Sequence, residues 1–184
     1  MRKGQHDTLV QHAHLVSAEF IRTAALWPEL WQAALEDASR AYFGKRDANA
    51  MLAILEPCHQ MMQRGPATLS EITFQQCFGR QLDEAYAWGE RYKDTQDPEH
   101  INAAWELYYH AFKRIAKQVS RITKLELSSV SPALLSASSL ELAVPGTYQP
   151  DAPLVRINRF NPTMAVIVSK QRPRKFTMSG DDGR

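Results

Sequence analysis

Two rows of side chains in the first two thirds of the sequence carry the strongest chemical signal. At about 100° per residue, Trp105, Tyr109, Phe112 and Ala116 share one stripe of a helix. A second stripe, Ala104, Leu107, Tyr108, Ala111 and Ile115, lies about 110° away on the same helix. One apolar stripe packs a helix into a core; a second, aromatic one needs another partner. Leu35, Ser39 and Phe43 form a comparable i, i+4, i+8 row. It flanks an inward face made by Trp27, Leu30, Trp31, Ala34, Ala38, Ala41 and Tyr42. Either both rows are core facing another helix, or the two helices cross and leave an aromatic cleft with the small Ser39 at its closest approach. The basic run Lys170-Gln171-Arg172-Pro173-Arg174-Lys175 is the other candidate. As a bare motif it reads as a nuclear-localisation or nucleic-acid patch, and as composition it reads as a solvated loop. No His/Asp/Glu cluster at metal-ligand spacing and no Ser/His/Asp arrangement accompanies it, so no catalytic residue and no resident metal or cofactor is expected.

Five helical stretches must position the rows. Asp7 or Thr8 caps a helix expected to run to about Leu26, with Leu9, Ala13, Val16, Phe20 and Ala24 on one face. Pro28 suits the first turn of a second helix, predicted to reach Phe43 and stop at Gly44. Asp47 opens a third through Met62, with Pro57 inside it and Gly65-Pro66 after it. Thr68-Leu69-Ser70-Glu71 has the form of a capping box and starts a helix to about Tyr92. Asp97-Pro98 starts the last, which continues towards Lys124. Short connections between these helices predict an up-and-down four-helix bundle over residues 28–124, preceded by one helix over residues 1–27.

Near residue 124 the pattern changes to Pro, Ser, Val and Thr with short alternating runs. Strands are predicted at Leu154–Ile157, Met164–Val168 and Lys175–Met178. Gly180-Asp181-Asp182-Gly183 reads as a hairpin turn followed only by Arg184, so residues 125–184 are expected to be an incomplete β-rich segment. The fold class expected is therefore mainly α.

Composition narrows the function. The 184 residues are 44% hydrophobic and 23% charged, which is ordinary for a globular chain. Twenty-two Lys and Arg against twenty Asp and Glu leave a net charge of +2, so no nucleic-acid partner is expected. No apolar run approaches the roughly 18 residues of a membrane span, and the charged N-terminus has no hydrophobic signal core. Cys58 and Cys77 read as reduced, buried thiols of a cytoplasmic protein.

Longer motifs carry a family resemblance. These are Trp31 with Glu36-x-Ala38-Ser39-Arg40-x-Tyr42-Phe43-Gly44, Leu55-Glu56-Pro57-x-His59-x-Met61-Met62-x-Arg64-Gly65-Pro66, and Ala104-Trp105-x-Leu107-Tyr108-Tyr109-His110-x-Phe112. Together they resemble the FKBP–rapamycin-binding domain of target of rapamycin (TOR) serine/threonine kinases. Thr8-Leu9-Val10-Gln11 to Trp27 resembles the end of the preceding helical-repeat (FAT) region. Leu140 to Tyr148 and Ser169 to Lys175 resemble the start of that family's kinase domain.

The resemblance implies that Leu35, Ser39, Phe43, Trp105, Tyr109 and Phe112 line the cleft that receives rapamycin already held by an immunophilin. Asn102 and Glu106 fall on two further contact positions, where the human-type pattern has Thr and Asp. The cleft's natural work would be gating the active site and docking substrate segments. Phosphatidic acid is a further implied ligand, with Lys113 beside the cleft as the cation for its phosphate. Ser169, Lys170 and Gln171 would belong to the loop over the ATP phosphates. Phosphoryl transfer also needs a lysine on the phosphates, metal-binding carboxylates and a residue acting on the nucleophile. In the family these lie past the Gly180–Gly183 turn, so ATP and Mg²⁺ are expected to serve the complete parent kinase and residues 1–184 to be inactive alone. The parent would act in nutrient and growth signalling, in the cytoplasm and peripherally on endomembranes. The alternative is a stand-alone, non-catalytic module binding the drug–immunophilin complex, substrate segments or phosphatidic acid.

Overall fold

The computed structural model describes the backbone of residues 2–184 and, apart from positions 2, 3 and 5, their side chains. The chain divides into two compact units, one of residues 26–121 and one that joins residues up to 25 with residues 122–184.

The first unit is the helical bundle. Helix α2 (Trp27–Ser39) places Pro28 in its first turn, where the missing backbone N–H has no helical partner to lose. Helix α3 (Ala48–Gln63) is capped by Asp47, whose carboxylate accepts from Ala50 N at 2.8 Å. Helix α4 (Leu69–Thr95) opens with both halves of the capping box: Glu71 N donates to Thr68 Oγ1 and Thr68 N donates to Glu71 Oε2, each at 3.3 Å. It extends one turn beyond the expected Tyr92, and Gln96 closes it at φ 55°. Helix α5 (Pro98–Ser120) begins where Asp97 accepts from Glu99 N at 2.9 Å. It stops short of Lys124, which the sequence had placed at its end and which belongs to a strand instead. Each helix packs on its sequence neighbour and α2 also packs on α5, which closes the ring of an up-and-down bundle. The core is Trp31, Met51, Leu55, Phe74, Leu82, Tyr108 and Ile115, all at 1% exposure or less. Gly89 lets α4 approach α3, since a Cβ there would stand 2.7 Å from Leu52 Cδ2.

The predicted run of α2 to Phe43 needs correction. The α-helical pattern ends at Ser39, and Arg40–Gly44 form a π-helical turn. Asp47 N donates to Ala41 O at 3.1 Å behind that turn. Ala41 is buried and Phe43 lies at the cleft as the spacing predicts, but Tyr42 is only half-buried, and Leu30, in the regular part of α2, is 38% exposed rather than inward.

In the second unit, α1 (Arg2–Ala24) begins well before the expected Asp7 or Thr8 cap. Thr8 lies inside it and donates to Gly4 O at 3.0 Å. Two short helices, α6 (Leu127–Val130) and α7 (Pro132–Ser136), occupy a stretch read as non-helical. Strands β1 (Lys124–Glu126), β3 (Thr163–Val166) and β4 (Arg174–Lys175) form an antiparallel sheet in the order β1-β3-β4. Strands β2 (Ile157–Phe160) and β5 (Met178–Gly180) pair separately. The predicted strand at 154–157 thus starts only at Ile157, and the one at 175–178 is broken between β4 and β5. Phe20 of α1 packs on Phe176 and Phe160, with ring centroids 4.5 and 5.9 Å away. The buried Glu19 carboxylate accepts from Ser131 Oγ at 2.5 Å.

Candidate functional site

The two rows meet. Leu35, Ser39 and Phe43 from α2 and its π-helical turn face Trp105, Tyr109 and Phe112 of α5 across an open cavity of about 520 Å³. Its size suits a small-molecule ligand. Leu35 is only 1% exposed and therefore belongs to the bundle core as well as to the cleft floor. Phe43 is the opposite case, 62% exposed at the rim. Its ring stands edge-on to Trp105 at 5.4 Å and to Tyr42 at 4.9 Å. Three aromatic rings of α5 and one of the turn thus present apolar faces, while Ser39 leaves the space between the helices open.

Glu36 and Arg40 also line the cavity, though the apolar stripes gave no sign of them. Glu36 Oε1 accepts from Gln32 Nε2 at 3.2 Å, and the Arg40 guanidinium pairs with Asp37. Only helical adjacency to Leu35 and Ser39 could have pointed to them.

Asn102 and Glu106 do not line this cavity. They line a neighbouring one of about 530 Å³ with Tyr42, Arg46, Phe43 and Trp105, the last two being shared walls. There the Tyr42 hydroxyl donates to Asn102 Oδ1 at 2.7 Å. Burial, with a smaller push from Tyr92, raises the Tyr42 pKa, so the phenol remains a neutral donor.

Lys113 lies one residue beyond Phe112, with its ammonium 4.7 Å from the centre of the Tyr109 ring. A cation over an aromatic face is stabilised by the ring's quadrupole, so Lys113 sits at the cleft with an aromatic partner. Ser169, Lys170 and Gln171 lie in the turn between β3 and β4, with exposed side chains. Arg172 N donates to Ser169 Oγ at 3.2 Å and the Arg172 guanidinium donates to Ile122 O, which anchors the turn. Among the described residues, no three His, Cys, Asp or Glu side chains gather where they could hold a metal ion. No described helix is long and apolar enough to cross a membrane.

The same stretch of chain stands out on comparison with known proteins. A family model described as the FKBP12-rapamycin binding domain matches residues 19–117, which contain both rows of the cleft. Serine/threonine-protein kinase TOR of Oryza sativa subsp. japonica is 54% identical over 175 residues, 95% of this chain and 7% of that protein. Serine/threonine-protein kinase tor1 of Schizosaccharomyces pombe is 51% identical over 178 residues, 97% of this chain and 8% of its own. Serine/threonine-protein kinase mTor of Drosophila melanogaster is 48% identical over 184 residues, the full chain and 7% of the fly protein. The chain therefore spans a small part of the length of these relatives. With both rows of its cleft inside the match to that family model, and nearly all of its length matched by one region of several TOR kinases, the chain belongs to the FKBP12-rapamycin binding domain family.

Proposed function

We propose that the α2–α5 cleft captures rapamycin held by FKBP12 and, without drug, docks apolar substrate segments for a TOR-type serine/threonine kinase. The observation that carries this reading is the convergence of Leu35, Ser39 and Phe43 with Trp105, Tyr109 and Phe112 around one open apolar cavity. Neither component of the drug complex covers the cleft alone; the macrolide fills it and the immunophilin closes over its exposed side. In the kinase, ATP with Mg²⁺ would supply the phosphoryl group. Ser169, Lys170 and Gln171, held in a β-hairpin turn, would lie beside the nucleotide phosphates. Residues 1–27 would close the FAT-like region and residues 125–184 would open the kinase lobe. The stand-alone binding module remains the second reading of the same cleft, because the cavity needs no catalytic residue to work.

Calorimetry with the rapamycin–FKBP12 complex tests the reading. Binding should be much tighter to the complex than to either component. Ser39→Trp should abolish it while the circular dichroism stays that of the parent, since the indole enters the cavity rather than the core. Trp105→Ala should weaken it by about 2 kcal/mol or more, the usual cost of truncating an aromatic anchor. A folded Ser39→Trp variant that binds as the parent does would refute it. Lys113 adds a subsidiary reading, an anionic lipid phosphate at the cleft edge. Phosphatidic acid vesicles should then bind the parent better than Lys113→Gln, and equal binding would remove it.

A further inference from the structure

The contact between Tyr42 and Asn102 gives Asn102 a role other than touching the ligand. A π-helical turn is an uncommon local geometry that tertiary contacts have to hold. Here the turn carries Phe43, whose 62% exposure means that little burial holds its ring in place. Phe43 instead leans on two rings, Tyr42 at 4.9 Å and Trp105 at 5.4 Å. Trp105 is fixed in α5 and half-buried. Tyr42 is itself part of the turn, so something outside the turn must hold it. Two contacts do so: its ring lies 5.8 Å from Trp105, and its hydroxyl reaches Asn102 Oδ1 in the first turns of α5. Asn102 does not line the 520 Å³ cavity. Its bond to Tyr42 nevertheless ties it to the turn that carries one wall of that cavity.

We propose that Asn102 is a positioning residue: through Tyr42 it braces the π-helical turn against α5 and so holds the Phe43 wall of the ligand cleft in place. This rests on the reading of the cleft as the drug- and substrate-docking site. Without the acceptor, the Tyr42 ring loses its anchor and Phe43 loses one of its two supports. The wall must then be ordered during binding, and affinity falls by that ordering cost.

The test uses the full chain, the rapamycin–FKBP12 complex as probe, and three single variants. Asn102→Leu removes the acceptor at similar size, and Tyr42→Phe removes the donor while keeping the ring. Each should weaken binding about fivefold, the worth of one ordinary hydrogen bond. The double variant should be no weaker than either single one, because both remove the same bond. Asn102→Asp retains Oδ1 and should bind within about twofold of the parent. Hydrogen exchange supplies a readout without ligand: amides 40–44 should exchange faster in Asn102→Leu and Tyr42→Phe but not in Asn102→Asp, with the α4 core unchanged. Losses that add in the double variant, or unchanged exchange at 40–44, would overturn the brace. If the parent chain fails to bind the complex, the cleft reading fails, and exchange at 40–44 alone decides whether the brace exists.

Discussion

His59 makes the bundle sensitive to acid by an amount the structure allows to be worked out. The imidazole is 3% exposed and enclosed by three rings. Trp31 stands edge-on at 4.9 Å, Tyr86 lies at 4.6 Å, and Tyr108 Oη is 2.8 Å from His59 Nε2. Burial pushes the His59 pKa down to about 4, with Lys93 adding a smaller repulsion; Lys93 in turn is paired with Glu90 and Glu56. An unfolded chain would titrate this histidine near 6.5. The folded state therefore refuses a proton that the unfolded state accepts between these two values. Stability is fully present above about pH 6.5 and is lost as pH falls towards about 4. Integrating over that window gives a loss of about 3 kcal/mol, a large share of a bundle's total. His59→Gln keeps a polar group for Tyr108 but cannot titrate. Urea denaturation of both proteins at pH 7 and pH 4 isolates the term, since surface carboxylates contribute alike to each. The parent should lose about 3 kcal/mol more than the variant on acidification. Equal losses would refute the reasoning and place the acid sensitivity elsewhere.

Other expectations rest on single contacts. Thr68→Ala removes the acceptor for Glu71 N and should cost about 1 kcal/mol, read as a lowered melting temperature. Gly89→Ala forces a methyl against Leu52 and should cost about 1–3 kcal/mol in urea denaturation unless α3 shifts. Cys77 is exposed, against the burial expected of both cysteines, whereas burial pushes the Cys58 thiol up to about 11. A thiol reagent at pH 8 should therefore modify one cysteine in the native chain and both in urea, and equal native rates would contradict the burial of Cys58.

Much of this arrangement could be read from residue spacing because its causes are local. The Thr68–Glu71 capping box, the Asp47 cap and the Asp97-Pro98 start need only a few neighbouring residues, and all three form. The cleft rows were visible because α5 is a regular helix, so constant angles place Trp105, Tyr109 and Phe112 together. The same arithmetic placed Phe43 at the cleft and Ala41 in the core, although no spacing announces that the helix widens to a π turn past Ser39. Tyr42 packs half-buried against the core, and its bond to Asn102 joins residues too far apart in the chain for any spacing to show it. Leu35 lies where core and cleft meet, and angle alone could not separate the two roles. In the second unit, α6 and α7 are too short to show a period, and α1 starts earlier than its polar residues suggest.

The bundle interrupts the other unit along the chain, lying between α1 and β1. Phe20 can meet Phe160, and Glu19 can meet Ser131, only after the chain closes a loop containing all of residues 26–121. For a flexible loop of about a hundred residues the length-dependent closure cost is about 4 kcal/mol. Helix pairs joined by short connections face no such cost and gain contacts early. The order of assembly follows: the bundle forms first, and its folded body replaces a long floppy tether with ends held in fixed positions. Only then does docking of α1 on the strands become cheap. A substitution that weakens the bundle interior would therefore delay the joining of two segments it never touches.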